Sequence, residues 1–189
     1  KFEMMRQSLK RFYPLVFEGH STDYQRPEKL KELVRDGVAV LKVGPELTFA
    51  LREGVFALEA MERELFSGKE NIWSGVSKIL DRVMVENPVH WQPYYLGDRQ
   101  NQAFDRRFSF SDRCRYYWGE PRVQKAVKQL LSNLSRNRLP LSLLSQYLPL
   151  QYGRVREGLL APEPEALLLD CVTEVLRKYN WAVNPALEG

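Results

Sequence analysis

The chain has 189 residues, with 28 Lys and Arg against 24 Asp and Glu, 44% hydrophobic and 12% aromatic side chains, and a mean hydropathy of −0.42. This composition excludes wholesale disorder, and a formal surplus of +4 is too small on its own to point to nucleic acid or an anionic membrane. Cys114 and Cys171 lie far apart without a CxxC or a nearby His cluster, which fits neither a disulfide framework nor a structural zinc site. No apolar run reaches the ~18 to 20 residues of a membrane span, and the first residues form neither a signal nor a transit peptide. A cytoplasmic protein is expected, and the missing initiator Met suggests part of a longer chain.

Phe2, Met5, Leu9 and Phe12 fall on one stripe of a helix ending before Pro14. Leu15-Val16-Phe17 then reads as a short buried strand that runs into the polar string Glu18 to Gln25. Pro27 opens a helix carrying Leu30, Leu33 and Val34 that stops at Asp36-Gly37. A second uninterrupted apolar strand, Val38 to Val43, follows. Gly44-Pro45-Glu46 starts a long helix whose buried face is Leu47, Leu51, Val55, Leu58, Met61 and Leu65. The order spells a βαβα unit with parallel strands buried on both faces. Two parallel strands leave open edges and too little core, so the unit needs further strands from elsewhere.

After Ser67 every periodic segment is helical. Asn71 precedes a helix with Ile72, Val76, Ile79, Leu80 and Val83, closed by Asn87-Pro88. Residues 87–122 are rich in Pro, Gly, aromatics and charge and are poorly periodic. Val123, Ala126, Val127, Leu130, Leu131 and Leu134 mark another helix. The pattern from Leu141 to Leu159 is split by Pro149, and Leu168, Val172, Val175, Leu176 and Tyr179 mark a last helix. The expected organisation is an α/β part, residues 1–66, followed by a helical region, residues 67–189.

Four strings carry a resemblance: VFEGHSTDYQ (16–25), LVRDGVAVLKVGPELTFALRE (33–53), FSFSDRCRYYW (108–118) and PLSLLSQYLPLQYGRVREGLL (140–160). In this order and spacing they resemble the GatZ/KbaZ family, the non-catalytic subunits of class II D-tagatose-1,6-bisphosphate aldolase, over nearly the whole chain. The resemblance implies the C-terminal part of a TIM-like (β/α)8 barrel, its last two strands and helices, followed by a mainly α-helical region. A complete barrel takes ~250 residues, so the first six strands would lie upstream. The implied role is to support the activity and stability of a separate catalytic subunit that carries the zinc. That partner's reaction is cleavage of D-tagatose 1,6-bisphosphate to glycerone phosphate and D-glyceraldehyde 3-phosphate in galactitol or N-acetylgalactosamine catabolism. No cofactor of its own is implied, and self-association stays open; the mix of Arg and aromatics from Phe104 to Trp118 could also stack on single-stranded nucleic acid, but Asp105 and Asp112 interrupt it and structure or subunit contact is the favoured reading, with no nucleic acid and no membrane as partners. The rival reading is an enzyme in its own right, a metal-dependent ketose-bisphosphate aldolase or a tagatose-6-phosphate kinase.

In the wider class II aldolases a His after strand seven binds zinc, and backbone amides nearby hold a phosphate. His20 falls near that His, but the Gly-rich loop of the catalytic relatives is replaced here by Ser21 to Gln25, which weighs against aldolase chemistry in this chain. His20, Glu18 and Asp23 are the candidate metal ligands, and Ser21, Thr22, Lys42 and Gly44 the candidate phosphate contacts. Set against these roles is a hydrogen-bonded polar layer that locks the loop, with Lys42 paired to Glu18 across adjacent strands. Arg113, Arg115, Tyr116, Tyr117 and Trp118 are the candidate subunit interface, Arg, Tyr and Trp being the types that anchor such contacts. His90 is given no role.

Overall fold

The computed structural model describes residues 2–184. Helix α1 (Phe2–Leu9) tightens into a 3-10 turn at Lys10–Phe12; of its expected apolar stripe Met5 and Phe12 are exposed and Leu9 is half-buried, while the Phe2 side chain lies outside what is described, and Met4, Tyr13, Leu15 and Val16 are exposed too. The strand expected at Leu15 to Phe17 is displaced to β1 (Phe17–Gly19). The Leu15 N–H is spent on a turn back to the Phe12 carbonyl at 2.8 Å, so pairing begins only at Phe17. Helix α2 (Pro27–Arg35) starts at its proline and ends at Asp36, with Gly37 at φ +100°, a conformation that favours glycine.

Strand β2 (Val38–Leu41) pairs parallel to β1 in the register Phe17↔Val38, Glu18↔Val40 and Gly19↔Leu41. Among the described residues the sheet has two strands. Burial on both faces is not realised: Val38 is buried but Ala39 and Val40 are exposed, no layer among the described residues covering them. These strands belong to a compact unit formed by residues up to Leu47 together with residues from Thr173 onward. Its core gathers Leu30, Tyr179 and Ala182, with Leu41, Val43, Val175 and Trp181 packed around them.

The second compact unit is Thr48–Val172. Most of α3 (Pro45–Leu65) lies in it and buries Val55, Leu58 and Met61, while Leu51 and Leu65 are only partly covered. The same helix also buries Arg52, Glu59 and Glu62, which apolar periodicity does not reveal. Helix α4 (Val76–Glu86) is preceded by a 3-10 turn at Glu70–Ile72 and capped at Gly75, φ +63°, rather than at Asn71. The shift follows from Ser74, whose N–H and hydroxyl both donate to Glu62, at 3.0 and 2.6 Å, and hold the approach to the helix.

The poorly periodic stretch contains α5 (Arg99–Phe108), capped by Asp98, which accepts from the Asn101 N–H at 2.8 Å. Helix α6 (Pro121–Ser135) begins at a proline behind Glu120, whose carboxylate accepts from the Arg122 and Val123 amides. The split expected at Pro149 separates α7 (Leu141–Tyr147) from α8 (Pro149–Arg156), and α9 (Pro164–Val183) closes the described chain. Val55, Leu58, Met61, Val76, Leu130, Leu134, Leu144 and Leu167 form the main core of this unit. Gly54 permits close approach within it, since a Cβ there would stand 2.8 Å from Leu168 Cδ1 and 3.2 Å from Cys171 Sγ.

Charges inside this unit are partnered. Arg52 Nε lies 3.0 Å from Asp112 Oδ1, the two side chains being 2% and 0% exposed, and the Arg52 guanidinium also stacks 4.3 Å over Phe49. Burial pushes the Asp112 carboxyl upward, with Thr48 and Arg52 pulling it back. Glu62 accepts from Ser74 and, at 2.6 Å, from Asn133 Nδ2. The buried Cys114 thiol donates to the Arg106 carbonyl, and burial pushes it up to about 12, which disfavours the thiolate.

Candidate functional site

Parallel pairing sets the C-terminal ends of β1 and β2 side by side, where open β/α sheets and barrels carry their chemistry. Glu18 Oε1 receives two partners there, the Lys42 ammonium at 3.1 Å and His20 Nε2 at 2.6 Å. The Lys42 hydrogen bond draws the Glu18 carboxyl below the ordinary range, with desolvation opposing it and His20 adding to the lowering. The cluster is exposed, so these contacts order side chains more than they stabilise the fold.

The loop after β1 turns back on itself through Ser21 at φ 55° and Tyr24 at φ 63°. Each left-handed residue costs roughly 1–2 kcal/mol, which the loop's hydrogen bonds offset. Thr22, 1% exposed, donates to the Lys42 carbonyl, and the Tyr179 hydroxyl therefore donates to Thr22 Oγ1 across 2.9 Å. Burial raises the Tyr179 hydroxyl. Asp23 Oδ1 accepts from the backbone amides of Gly44 and Glu46, each at 2.9 Å. Glu46 in turn accepts from the Tyr24 N–H at 2.8 Å and is ion-paired with Lys178.

The candidates named from sequence thus divide. Glu18, His20 and Lys42 come together, and Lys42 pairs with Glu18 as the strand geometry suggested. Asp23 faces the amides of the helix start instead, and Gly44 offers its N–H to Asp23. A carboxylate from the chain itself occupies the amides at which a bound anion would sit. Thr22 is buried in the lock, and Ser21 supplies the turn. The residues do not compose a three-ligand metal site: among the described residues no group of three or more His, Cys, Asp and Glu is placed to hold a metal ion, and the Lys42 ammonium shares the Glu18 oxygen a metal would need.

Tyr179, Lys178 and the reach of Glu46 were not read from the sequence. Tyr179 registers there only as an apolar position of a helix, and a separation of 157 residues from Thr22 leaves no local signal.

In the other unit the aromatic and Arg candidates also separate. Arg113 lies 3.4 Å over the Tyr94 ring, Arg115 lies 4.6 Å over Tyr116, and His90 stacks on Tyr116 at 4.7 Å. Tyr94 and Tyr116 are exposed. Tyr117 instead belongs to the core, its hydroxyl bonded to the Asn87 carbonyl at 2.5 Å, and Trp118 packs half-buried against both apolar clusters. No helix among the described residues is long and apolar enough to cross a membrane.

A parallel β/α pair with a polar layer at its strand ends, followed by a helix-rich body, defines a mixed α/β protein. More closely, residues 1–184 match the model of the D-tagatose-1,6-bisphosphate aldolase subunit GatZ/KbaZ-like family, and the chain belongs to that family. It is 46% identical over 172 residues to the D-tagatose-1,6-bisphosphate aldolase subunit GatZ of Salmonella newport and to that of Salmonella enteritidis, a match covering 91% of this chain and 40% of each relative. The chain therefore spans about 40% of the length of these curated relatives. Among solved structures it is similar to a probable tagatose 6 phosphate kinase from Sinorhizobium meliloti 1021, with TM-score 0.87 and 43% identity over 95% of this chain and 46% of the other.

Proposed function

We propose that this chain is the C-terminal part of a non-catalytic accessory subunit of class II D-tagatose-1,6-bisphosphate aldolase. Residues 1–66 supply the closing strands and helices of a TIM-like barrel. The subunit binds and stabilises a cytoplasmic catalytic partner that carries the zinc and cleaves D-tagatose 1,6-bisphosphate to glycerone phosphate and D-glyceraldehyde 3-phosphate, in galactitol or N-acetylgalactosamine catabolism. Binding the native state of a partner is sufficient for such support. Exposed Leu15, Val16 and Val40 favour a sheet continued by further strands.

One observation carries the non-catalytic assignment. The amides at the start of α3 are filled by Asp23, and the acceptor Glu18 is held by Lys42 and His20. The anion-type amides of the loop and one oxygen of Glu18 are thus taken up by the chain's own side chains, which supports a structural role for the loop. Zinc is accordingly assigned to the partner and not to His20, Glu18 and Asp23.

Similarity to the Sinorhizobium protein, described as a probable tagatose 6 phosphate kinase, favours a second reading, an enzyme in its own right. The sequence holds no Gly-rich loop followed by Lys and Ser or Thr, which weakens the kinase version. The deciding assay measures tagatose-bisphosphate cleavage by the full-length parent, by the catalytic subunit, and by the two mixed, with zinc throughout. The parent is expected to be inert alone and to raise or preserve its partner's activity. Cleavage by the parent unaided overturns the proposal and makes Glu18, His20 and Asp23 the first catalytic candidates.

A further inference from the structure

Charge is unevenly distributed along the sequence. From Pro121 to Arg156 there are seven Lys and Arg and no Asp or Glu, whereas the rest of the chain holds 21 Lys and Arg against 24 Asp and Glu. The modest net charge of the whole chain therefore hides a strongly cationic segment. Helix α6 opens that segment, and between it and α4 lies a cavity of about 350 Å³ lined by Ser74, Ile79, Arg82, Arg122, Lys125, Ala126 and Gln129. Three of the lining side chains are cationic and none is acidic.

The three cations are not equivalent. Arg122 is held by Glu86 at 2.7 Å and by Glu120 at 2.9 Å, so its charge is largely spent. Arg82 and Lys125 make no ion pair among the described residues, and they supply the free positive charge of the cavity. Ile79 and Ala126 give it an apolar floor.

Gln129 is oriented from behind. The buried Glu62 carboxylate accepts only, so Asn133 turns its amide nitrogen to Glu62 at 2.6 Å. The Asn133 oxygen then accepts from Gln129 Nε2 at 2.7 Å. One further Nε2 hydrogen of Gln129 is left for a ligand. The result is a planar guanidinium, a mobile ammonium and an amide N–H above a carbon floor, in a volume within the ~300–1,000 Å³ of small-molecule pockets. Donors without acceptors of negative charge suit a phosphate dianion, and the floor suits the carbon skeleton that bears it.

We propose that the α4–α6 cavity binds a phosphorylated small molecule of sugar-phosphate size, with Arg82, Lys125 and Gln129 as its phosphate contacts. This site lies within Thr48–Val172, separate from the strand-end cluster, and does not rest on the accessory-subunit reading. The test uses full-length protein, with inorganic phosphate and fructose 1,6-bisphosphate as probes followed by calorimetry and phosphorus NMR. The comparison is among wild type, Arg82→Gln/Lys125→Gln and Arg136→Gln, the last removing a cation of the same segment that lines a different surface.

Saturable binding that falls tenfold or more in the double variant and is unchanged in Arg136→Gln is the expected result. Absence of saturable binding, or binding equal in all three proteins, overturns the proposal. An equal loss in Arg136→Gln overturns it in favour of unspecific attraction to the cationic segment. If the double variant loses co-elution with the catalytic subunit while probe binding is unchanged, the surface takes an acidic protein face instead, and the small-molecule proposal fails. The variants replace exposed side chains, and unchanged far-UV circular dichroism shows that the fold is kept.

Discussion

Within Thr48–Val172, Val55, Leu58 and Met61 of α3, Val76 of α4, Leu130 and Leu134 of α6 and Leu144 of α7 are covered, and even charged Arg52, Asp112 and Glu62 are enclosed with partners. The unit containing β1 and β2 is built the other way. Its apolar Leu15, Val16 and Val40 face solvent, while its most ordered contacts are polar: Thr22 with Tyr179, and Asp23 with the amides of α3. One region has enough layers to bury its side chains. The other has polar stitching at its strand ends, and among its described residues two strands leave apolar surface exposed.

The largest effect expected is in the covered region. Asp112→Ala strands the Arg52 charge in the interior and should cost about 3–5 kcal/mol, read by urea denaturation; a loss below 1 kcal/mol would mean that water reaches the pair. The contrast is sharpened next by Val16→Ser, made twice. In the isolated chain, where Val16 is 62% exposed, stability should move by no more than about 0.5 kcal/mol. In the full-length parent, where the proposed strands cover it, the loss should approach about 1.5–3 kcal/mol. Equal small losses in both would break the barrel proposal.

Asp23→Ala removes the cap of α3 and should cost about 1 kcal/mol by the same denaturation measurement. If it costs nothing, water replaces the carboxylate and the loop is not locked as described. The smallest effect is a titration. The Glu18 carboxyl, drawn downward chiefly by Lys42, should titrate below 4.5 in a carbon-detected NMR pH series and move back up in Lys42→Met. Because the folded value is the lowered one, the benefit is present above the unfolded value and fades as pH falls through the folded one.

Much of the architecture was legible from residue order. Pro27 and Gly37 bracket α2, Pro45 starts α3 and Pro149 divides α7 from α8, because a missing N–H and a tolerated left-handed φ act locally. The displaced β1 was less legible, since its start depends on where the Leu15 amide goes. Helix α5 was obscured because only Arg106 among its residues is buried, so apolar periodicity had little to report. Of the strand-end cluster, the Glu18–Lys42 pair followed from strand adjacency, whereas Asp23 was open between a metal ligand and a member of the hydrogen-bonded layer that locks the loop.

By itself, then, the sequence determined the family, the parallel β/α beginning, the helix-rich remainder and the punctuation between elements. All of these rest on local backbone preferences, on periodicity, or on strings long enough to be distinctive. Only the tertiary structure decided that Asp23 fills the α3 amides, that Tyr179 locks Thr22, that Arg52 and Asp112 meet in the interior, and that Arg82 and Lys125 border one cavity. Each of those pairings joins residues distant along the chain, so its free energy depends on packing geometry and local dielectric, and neither is encoded in a short window of sequence.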